Sequence, residues 1–274
     1  MTAIIPINSK DGKIYWVDQG DKLYIQRLTN GQYQGSNWQF AQTLIDNWHR
    51  CVDVGSNNAC NAINYAERFA VVECFEPTQL AQQLWSNTVR DNNVPNCNLY
   101  TVGLGEREYT TEILIHVHNG GHNHLAHYDK NPRSRPESRT RDTETVAVKT
   151  LDSYQFTDVG FIKIDVEGYE QFVLQGAEQT VKQSRPTIQL EIVGNQCRKF
   201  NYRAEDMISW IRSWDYHVIS RHRGRLDGVF ETKNGVLLYN GTKMRGEMDL
   251  WFQPNERFKS HTENIIENLF EICP

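Results

Sequence analysis

Cys51-Val52-Asp53-Val54-Gly55-Ser56-Asn57 is the stretch that decides the fold. A short apolar run closes on an acid, a glycine and small polar residues. A helix-like stretch over residues 59–69 follows, and Val71-Val72-Glu73-Cys74-Phe75 is a second apolar run that leads into another acid, Glu76. Strand, tight turn, helix, strand and acid make half of a nucleotide-binding βαβ unit, with the second acid about 20 residues beyond the glycine turn. Gly55 lets the backbone turn sharply and a ligand approach the main chain. Glu76 can accept two hydrogen bonds from a ribose diol, and ligands of open α/β sheets bind beyond the carboxyl ends of the strands. The fingerprint G-x-G-x-x-G is absent, because Ser56, Asn57, Asn58 and Ala59 follow Gly55. With no glycine cradle for a pyrophosphate, NAD and FAD are disfavoured. A nucleoside without phosphates fits better, S-adenosylmethionine first among them. The competing reading is a plain strand–turn–helix whose acids only cap.

The 274 residues, 39% of them hydrophobic, suffice for one large α/β domain with additions. A net charge of −5 implies no general attraction to nucleic acid or an anionic membrane. No apolar run reaches the roughly 18 residues of a spanning helix, and residues 1–10 lack the basic start and apolar core of a secretory signal. The six cysteines are scattered without a C-x-x-C pair. This predicts a reducing, cytoplasmic setting, with neither structural disulfides nor a cysteine zinc site.

Working outward, Lys13-Ile14-Tyr15-Trp16-Val17 and Leu23-Tyr24-Ile25 read as a hairpin around Asp18-Gln19-Gly20-Asp21. Ser36 can cap a helix through Trp38, Phe40, Leu44, Ile45 and Trp48. Residues 1–48 are therefore expected to pack on a core domain of residues 49–240. In that domain Thr78 can cap a helix carrying Leu80, Leu84, Trp85 and Val89. Residues 98–102 read as a third strand, and Gly103 and Leu104 at its end suit an adenine. Further strands are expected at 112–118, 145–149, 160–165, 187–193, 216–220 and 235–239, with helices near 169–177 and 204–214. A loop insertion spans 119–144. Five histidines crowd residues 116–127. A glycine-rich loop has no i,i+4 geometry to fix metal ligands, so an active-site loop with one histidine on the substrate is preferred and no metal is assigned. Residues 130–141 are basic and proline-containing, a solvated loop or an arm for an anionic substrate. Arg221-His222-Arg223-Gly224-Arg225 is a second basic stretch, and together they keep nucleic acid open without favouring it. The tail, 241–274, carries an amphipathic pattern through Ile265, Ile266, Leu269 and Phe270 that could pack on the domain or serve a partner.

Val52-Asp53-Val54-Gly55-Ser56-Asn57, Phe75-Glu76-Pro77, Leu151-Asp152, Lys163-Ile164-Asp165-Val166-Glu167-Gly168-Tyr169-Glu170, Leu174-Gln175-Gly176-Ala177, Arg185-Pro186 and Glu191 together resemble the FkbM family of methyltransferases. The likeness covers about residues 45–240. It implies an α/β, class I, Rossmann-like fold: a seven-stranded, mostly parallel sheet with helices on both faces, here with the N-terminal hairpin and helix added. It also implies S-adenosylmethionine and methyl transfer to an oxygen, with a sugar, glycan or small hydroxylated metabolite as acceptor. The cofactor is then expected on Asp53, Gly55, Ser56, Asn57, Glu76, Pro77, Gly103, Leu104 and Asp165. Two departures stand out. Ala59 replaces the family's usual glycine, and the acid usual after the third strand is missing around Gly103-Leu104, which leaves the adenine amino group to the main chain.

An aliphatic hydroxyl needs a base to become a nucleophile. Asp165, at the end of the strand beside the first motif, is expected as base or anchor, helped by Glu191 on the next strand. His124, with His122 and His127, is the alternative base. Glu167 is expected either to orient Asp165 or to cap the following helix. Ribose methylation of RNA and a non-catalytic cofactor-binding module remain as alternatives.

Overall fold

The computed structural model describes residues 3–31, 35–116, 124–125, 140–222, 225–229, 231–233, 236–238 and 247–257. The chain begins with strands β1 (Ile4–Asn8) and β2 (Ile14–Asp18) and helices α1 (Lys22–Thr29) and α2 (Gly35–Leu44). Then come β3 (Arg50–Val54), α3 (Ala62–Tyr65), β4 (Val71–Phe75), α4 (Gln79–Asp91), β5 (Cys97–Tyr100) and β6 (Gly103–Leu104). Strands β7 (Tyr109–His116), β8 (His124–Leu125) and β9 (Thr140–Lys149) lead through a 3-10 turn, Leu151–Tyr154, to β10 (Val159–Ile164). Next are α5 (Glu170–Gln175), α6 (Glu178–Ser184), β11 (Thr187–Val193), α7 (Gly194–Lys199) and α8 (Ala204–Arg212). The described chain closes with β12 (Tyr216–His222), β13 (Arg225–Val229), β14 (Glu231–Lys233), β15 (Val236–Leu238) and β16 (Glu247–Pro254).

The main sheet runs β13-β12-β16-β11-β10-β3-β4-β5. Strands β5, β4, β3, β10 and β11 pair in parallel, and β16 lies antiparallel between β11 and β12. This is the class I methyltransferase sheet of seven strands, lengthened at one edge by β13. The central strands are buried on both faces and so read as continuous apolar runs; all six positions of β10 are buried. One face carries Val52, Val54, Ile162, Ile164 and Leu190 against Val173, Leu174, Val181, Met207, Ile208 and Ile211 of α5, α6 and α8. The other carries Cys51, Cys74, Phe161 and Trp251 against α2, α3 and α4. There Phe40 meets Trp251 edge-on at 4.7 Å between ring centroids.

Several boundaries differ from the sequence reading. The hairpin is β1 with β2. The Asp21 carboxylate accepts the Tyr24 N–H at 3.0 Å and caps α1, so Leu23-Tyr24-Ile25 is helical. Residues 59–69 hold only the short α3, because Ala59 at φ +67° cannot belong to a helix. The segment assigned to the tail supplies β16, a sheet strand; over residues 250–253 its apolar and polar side chains are buried alike, which erases the alternation that marks a half-exposed strand. The helix expected at 265–270 lies outside the described residues. Residues 140–144, expected in the loop insertion, belong to β9. With β6, β7 and β8 it forms a second, four-stranded sheet over the carboxyl ends of the main one.

Family-signature residues prove architectural. Asp152 accepts the N–H groups of Gln179 and Thr180 at 3.0 and 2.8 Å and caps α6. The Arg185 guanidinium donates to the carbonyls of Trp214 and Asp215 and to Glu256. A Cβ on Gly176 would stand 2.0 Å from the Gly105 carbonyl oxygen. Gly176→Ala should therefore lower stability by about 1–3 kcal/mol in urea unfolding. Gly194→Ala, with nothing within 4 Å of the added methyl, should change it by less than about 0.5 kcal/mol.

Candidate functional site

Beyond the carboxyl ends of β3, β4, β10 and β11 lies a cleft of about 730 Å³. Its floor is the turn after β3. Gly55 has φ +80°, and a Cβ there would fall 1.9 Å from the Asp165 carbonyl oxygen. Glycine is thus required by the neighbouring strand's exit alone, before any ligand approaches from the cleft. The N–H groups of Gly55 and Ser56 both donate to the Phe75 carbonyl, at 3.0 and 3.2 Å, and the Asp165 N–H donates to Val54 at 3.1 Å. Three strand ends are tied together by backbone alone. Ala59, at the family's glycine position, keeps the left-handed conformation without a glycine, at a cost of about 1–2 kcal/mol.

Glu76 is buried in the cleft wall and already oriented. Its Oε2 accepts the Asn57 N–H at 3.1 Å, and its Oε1 accepts the Thr78 N–H and hydroxyl at 2.9 and 2.7 Å. Burial pushes its pKa up, and these hydrogen bonds oppose the shift. A carboxylate has about four lone-pair positions, so room remains for one ribose hydroxyl rather than two. Ser56, Asn57, Pro77, Gly103 and Leu104 line the same cleft. Val102, Ile113, Val146 and Val148 complete an apolar end roofed by the second sheet, suited to a purine. Asp53 lies fully buried behind the turn and is not among the lining residues.

At the other end, Asp165 and Glu191 line the cleft from adjacent strands. Lys163 Nζ lies 3.1 Å from Asp165 Oδ2. Glu167, at φ +58°, receives a hydrogen bond from the Gln196 amide and does not cap. Glu170 instead ties down the loop before α5: its Oε1 takes the Val166 and Gly168 N–H groups at 3.3 and 3.0 Å, and its Oε2 the Tyr202 hydroxyl at 3.1 Å. Asp249 of β16, held by Gln189 at 3.2 Å and Asn37 at 2.6 Å, also lines the cleft. So do Asp18, Asp21 and Tyr24 of the N-terminal extension. The Tyr24 hydroxyl donates to Asn58 at 2.6 Å and anchors the extension to the turn.

Sequence reasoning missed Lys163, Glu170 and Asp249. A lysine inside an otherwise apolar strand was a visible signal; Asp249 offered none. His124 is described only in its backbone, as the β8 residue opposite Leu114; its side chain, and His118, His122 and His127, lie outside the described residues. Among the described residues no group of three His, Cys, Asp or Glu is arranged to hold a metal.

The model of the methyltransferase FkbM domain matches residues 53–218. The chain belongs to the FkbM methyltransferase family. It carries an FkbM-type methyltransferase domain, whose cofactor is S-adenosylmethionine. The oriented Glu76 carboxylate, the apolar purine end and the missing pyrophosphate cradle fit that cofactor. A solved FkbM methyltransferase from Methylobacillus flagellatus is 16% identical over 85% of this chain, with a TM-score of 0.44; the alignment spans 55% of that protein. An rRNA methylase from Streptococcus thermophilus is 11% identical over 80% of this chain and 93% of its own, TM-score 0.45. A methyltransferase-like protein from Streptococcus mutans in complex with SAH is 8% identical over 79% and 94%, TM-score 0.43. No curated protein matches the chain. Among the described residues no helix is long and apolar enough to cross a membrane.

Two outcomes follow for the FkbM domain. Glu76→Ala removes the ribose acceptor and frees the Asn57 and Thr78 donors, so calorimetry should show S-adenosylmethionine binding weakened about 10- to 100-fold. Burial pushes Glu170 from 4.5 up to about 7. The folded protein then holds a proton that the unfolded chain has released, so this group's contribution to stability falls as pH rises from 4.5 through about 7 and is flat above. In Glu170→Gln that slope should vanish. The stability of the wild type relative to the variant should drop by at most roughly 3 kcal/mol across the window in urea unfolding.

Proposed function

We propose that this FkbM-family protein moves a methyl group from S-adenosylmethionine to a hydroxyl of a sugar, glycan or small hydroxylated metabolite. The observation that carries the reading is the pair Asp165 and Glu191, which share one cleft with the oriented Glu76. When bound, the cofactor supplies a methyl group already made electrophilic by its sulfonium. The chain must position the acceptor and take its proton. Positioning alone can contribute about 7–11 kcal/mol. Asp165 is the proton acceptor, and Glu191 anchors a neighbouring hydroxyl; His124 stands as the alternative base.

The described wall favours a neutral acceptor over an RNA ribose. Asp18, Asp21, Asp165, Glu167, Glu191 and Asp249 line it, against Arg27 and Lys163. A phosphate chain would meet that field unfavourably. We read the setting as cytoplasmic, in keeping with the free thiols of Cys51, Cys60, Cys74, Cys97 and Cys197.

The test is Asp165→Asn with labelled S-adenosylmethionine and a panel of sugars, glycans and hydroxylated metabolites. Turnover should fall by about 100-fold or more, while cofactor affinity measured by calorimetry stays within about threefold of wild type. Retained turnover sinks the assignment of the base.

A further inference from the structure

Lys163 occupies β10, a strand buried at every position, and its side chain is 3% exposed. In register it stands opposite Asp53 on β3 and Gln189 on β11. An ammonium there is tolerated only with counter-charge. Among the described residues two carboxylates pair with it: Asp165 Oδ2 at 3.1 Å and Asp53 Oδ1 at 3.9 Å. Their situations differ. Asp165 is 18% exposed and lines the cleft, whereas Asp53 is fully buried and off the cleft. At 3.9 Å, Asp53 acts on Lys163 by charge, not as a hydrogen-bond acceptor.

We propose that Lys163 is a positioning residue for methyl transfer: backed by the sealed carboxylate of Asp53, its ammonium holds the Asp165 carboxylate as an anion at the cleft. This rests on Asp165 as the proton acceptor. As the acceptor oxygen bonds to the methyl carbon, the carbon–sulfur bond breaks and its electron pair passes to sulfur. The hydroxyl proton goes to Asp165 and later to solvent. Protonation removes one counter-charge of Lys163, and Asp53 remains. The buried ammonium is therefore paired throughout the cycle, which gives Asp53 a role away from the cofactor.

Several titratable groups surround this pair. Asp53 faces it from β3, Glu191 from β11, Asp249 from β16 and Glu170 from α5; Cys51 and Tyr65 lie on the extension side. Of the acids, Asp249 is held by Gln189 and Asn37, and Glu170 by the 166–168 loop and Tyr202. Neither is bonded to the Lys163 ammonium.

The test is carbon NMR of protein carrying carboxyl-labelled aspartate, with the Asp165 signal identified by its loss in Asp165→Asn. In Lys163→Met the midpoint of that signal should rise by about 1–3 pH units. Lys163→Met leaves Asp53 as a lone buried charge and can unfold. The double variant Asp53→Asn/Lys163→Met removes that charge and should still show a rise, smaller than in Lys163→Met because the like charge of Asp53 is gone too. A merely structural lysine would leave the double variant titrating like wild type, and an unchanged midpoint overturns the proposal. The NMR needs no methyl acceptor. Failure of Asp165 as the base shows only in turnover of Asp165→Asn, and so is separable from failure of the Lys163 contact.

Discussion

The carbonyl oxygen of Asp165 fills the space where residue 55 would carry a side chain. Much of the site depends on that contact. It brings the ends of β3 and β10 together, and the Phe75 carbonyl, taking two N–H groups from the same turn, adds β4. The cleft floor is therefore backbone locked to backbone. Glu76, Lys163 and Asp165 project from fixed points, as a site that must align a donor and an acceptor requires.

Charge is distributed with similar economy along the sheet. At the amino end, Glu73 is closed off by Arg50, Asn98 and Tyr100. At the carboxyl end, one buried lysine is shared by two acids, and only one of these reaches the cleft. A buried ion pair is weak evidence for stability, since apolar residues of similar volume often serve as well. Asp53 and Lys163 are better understood through what they do for Asp165. The N-terminal extension, which precedes the matched domain, joins the site through Tyr24 and Asn37 and walls its acidic end.

The βαβ start and the parallel order were legible because β3, β4, β10 and β11 are short apolar runs with acids at or beyond their carboxyl ends, a pattern that burial on both faces imposes. Gly55 and Glu76 were legible for the same reason. Leu23-Tyr24-Ile25 misled, because its β-forming residues yield to the cap from Asp21. β16 was hidden: a strand buried on both faces between antiparallel neighbours, far along the chain, carries no local signature. Asp249 was hidden with it. Glu167 and Glu170 were separable only by geometry, since the left-handed turn at Glu167 and Gly168 brings the loop N–H groups onto the later acid. Gly176 and Asp152 read as family signatures, but their reasons, a carbonyl in contact and a helix to cap, appear only in three dimensions.

The central claim is that S-adenosylmethionine lies across the ends of β3, β4 and β10, against the turn that Gly55 makes possible. Hydrogen–deuterium exchange with and without S-adenosylmethionine tests it directly, because exchange follows local opening. Slowed exchange concentrated in residues 53–58, 75–78, 102–105 and 163–168 is the predicted result. Unchanged exchange in those segments at a saturating concentration, or protection confined to the opposite edge of the sheet, would contradict it.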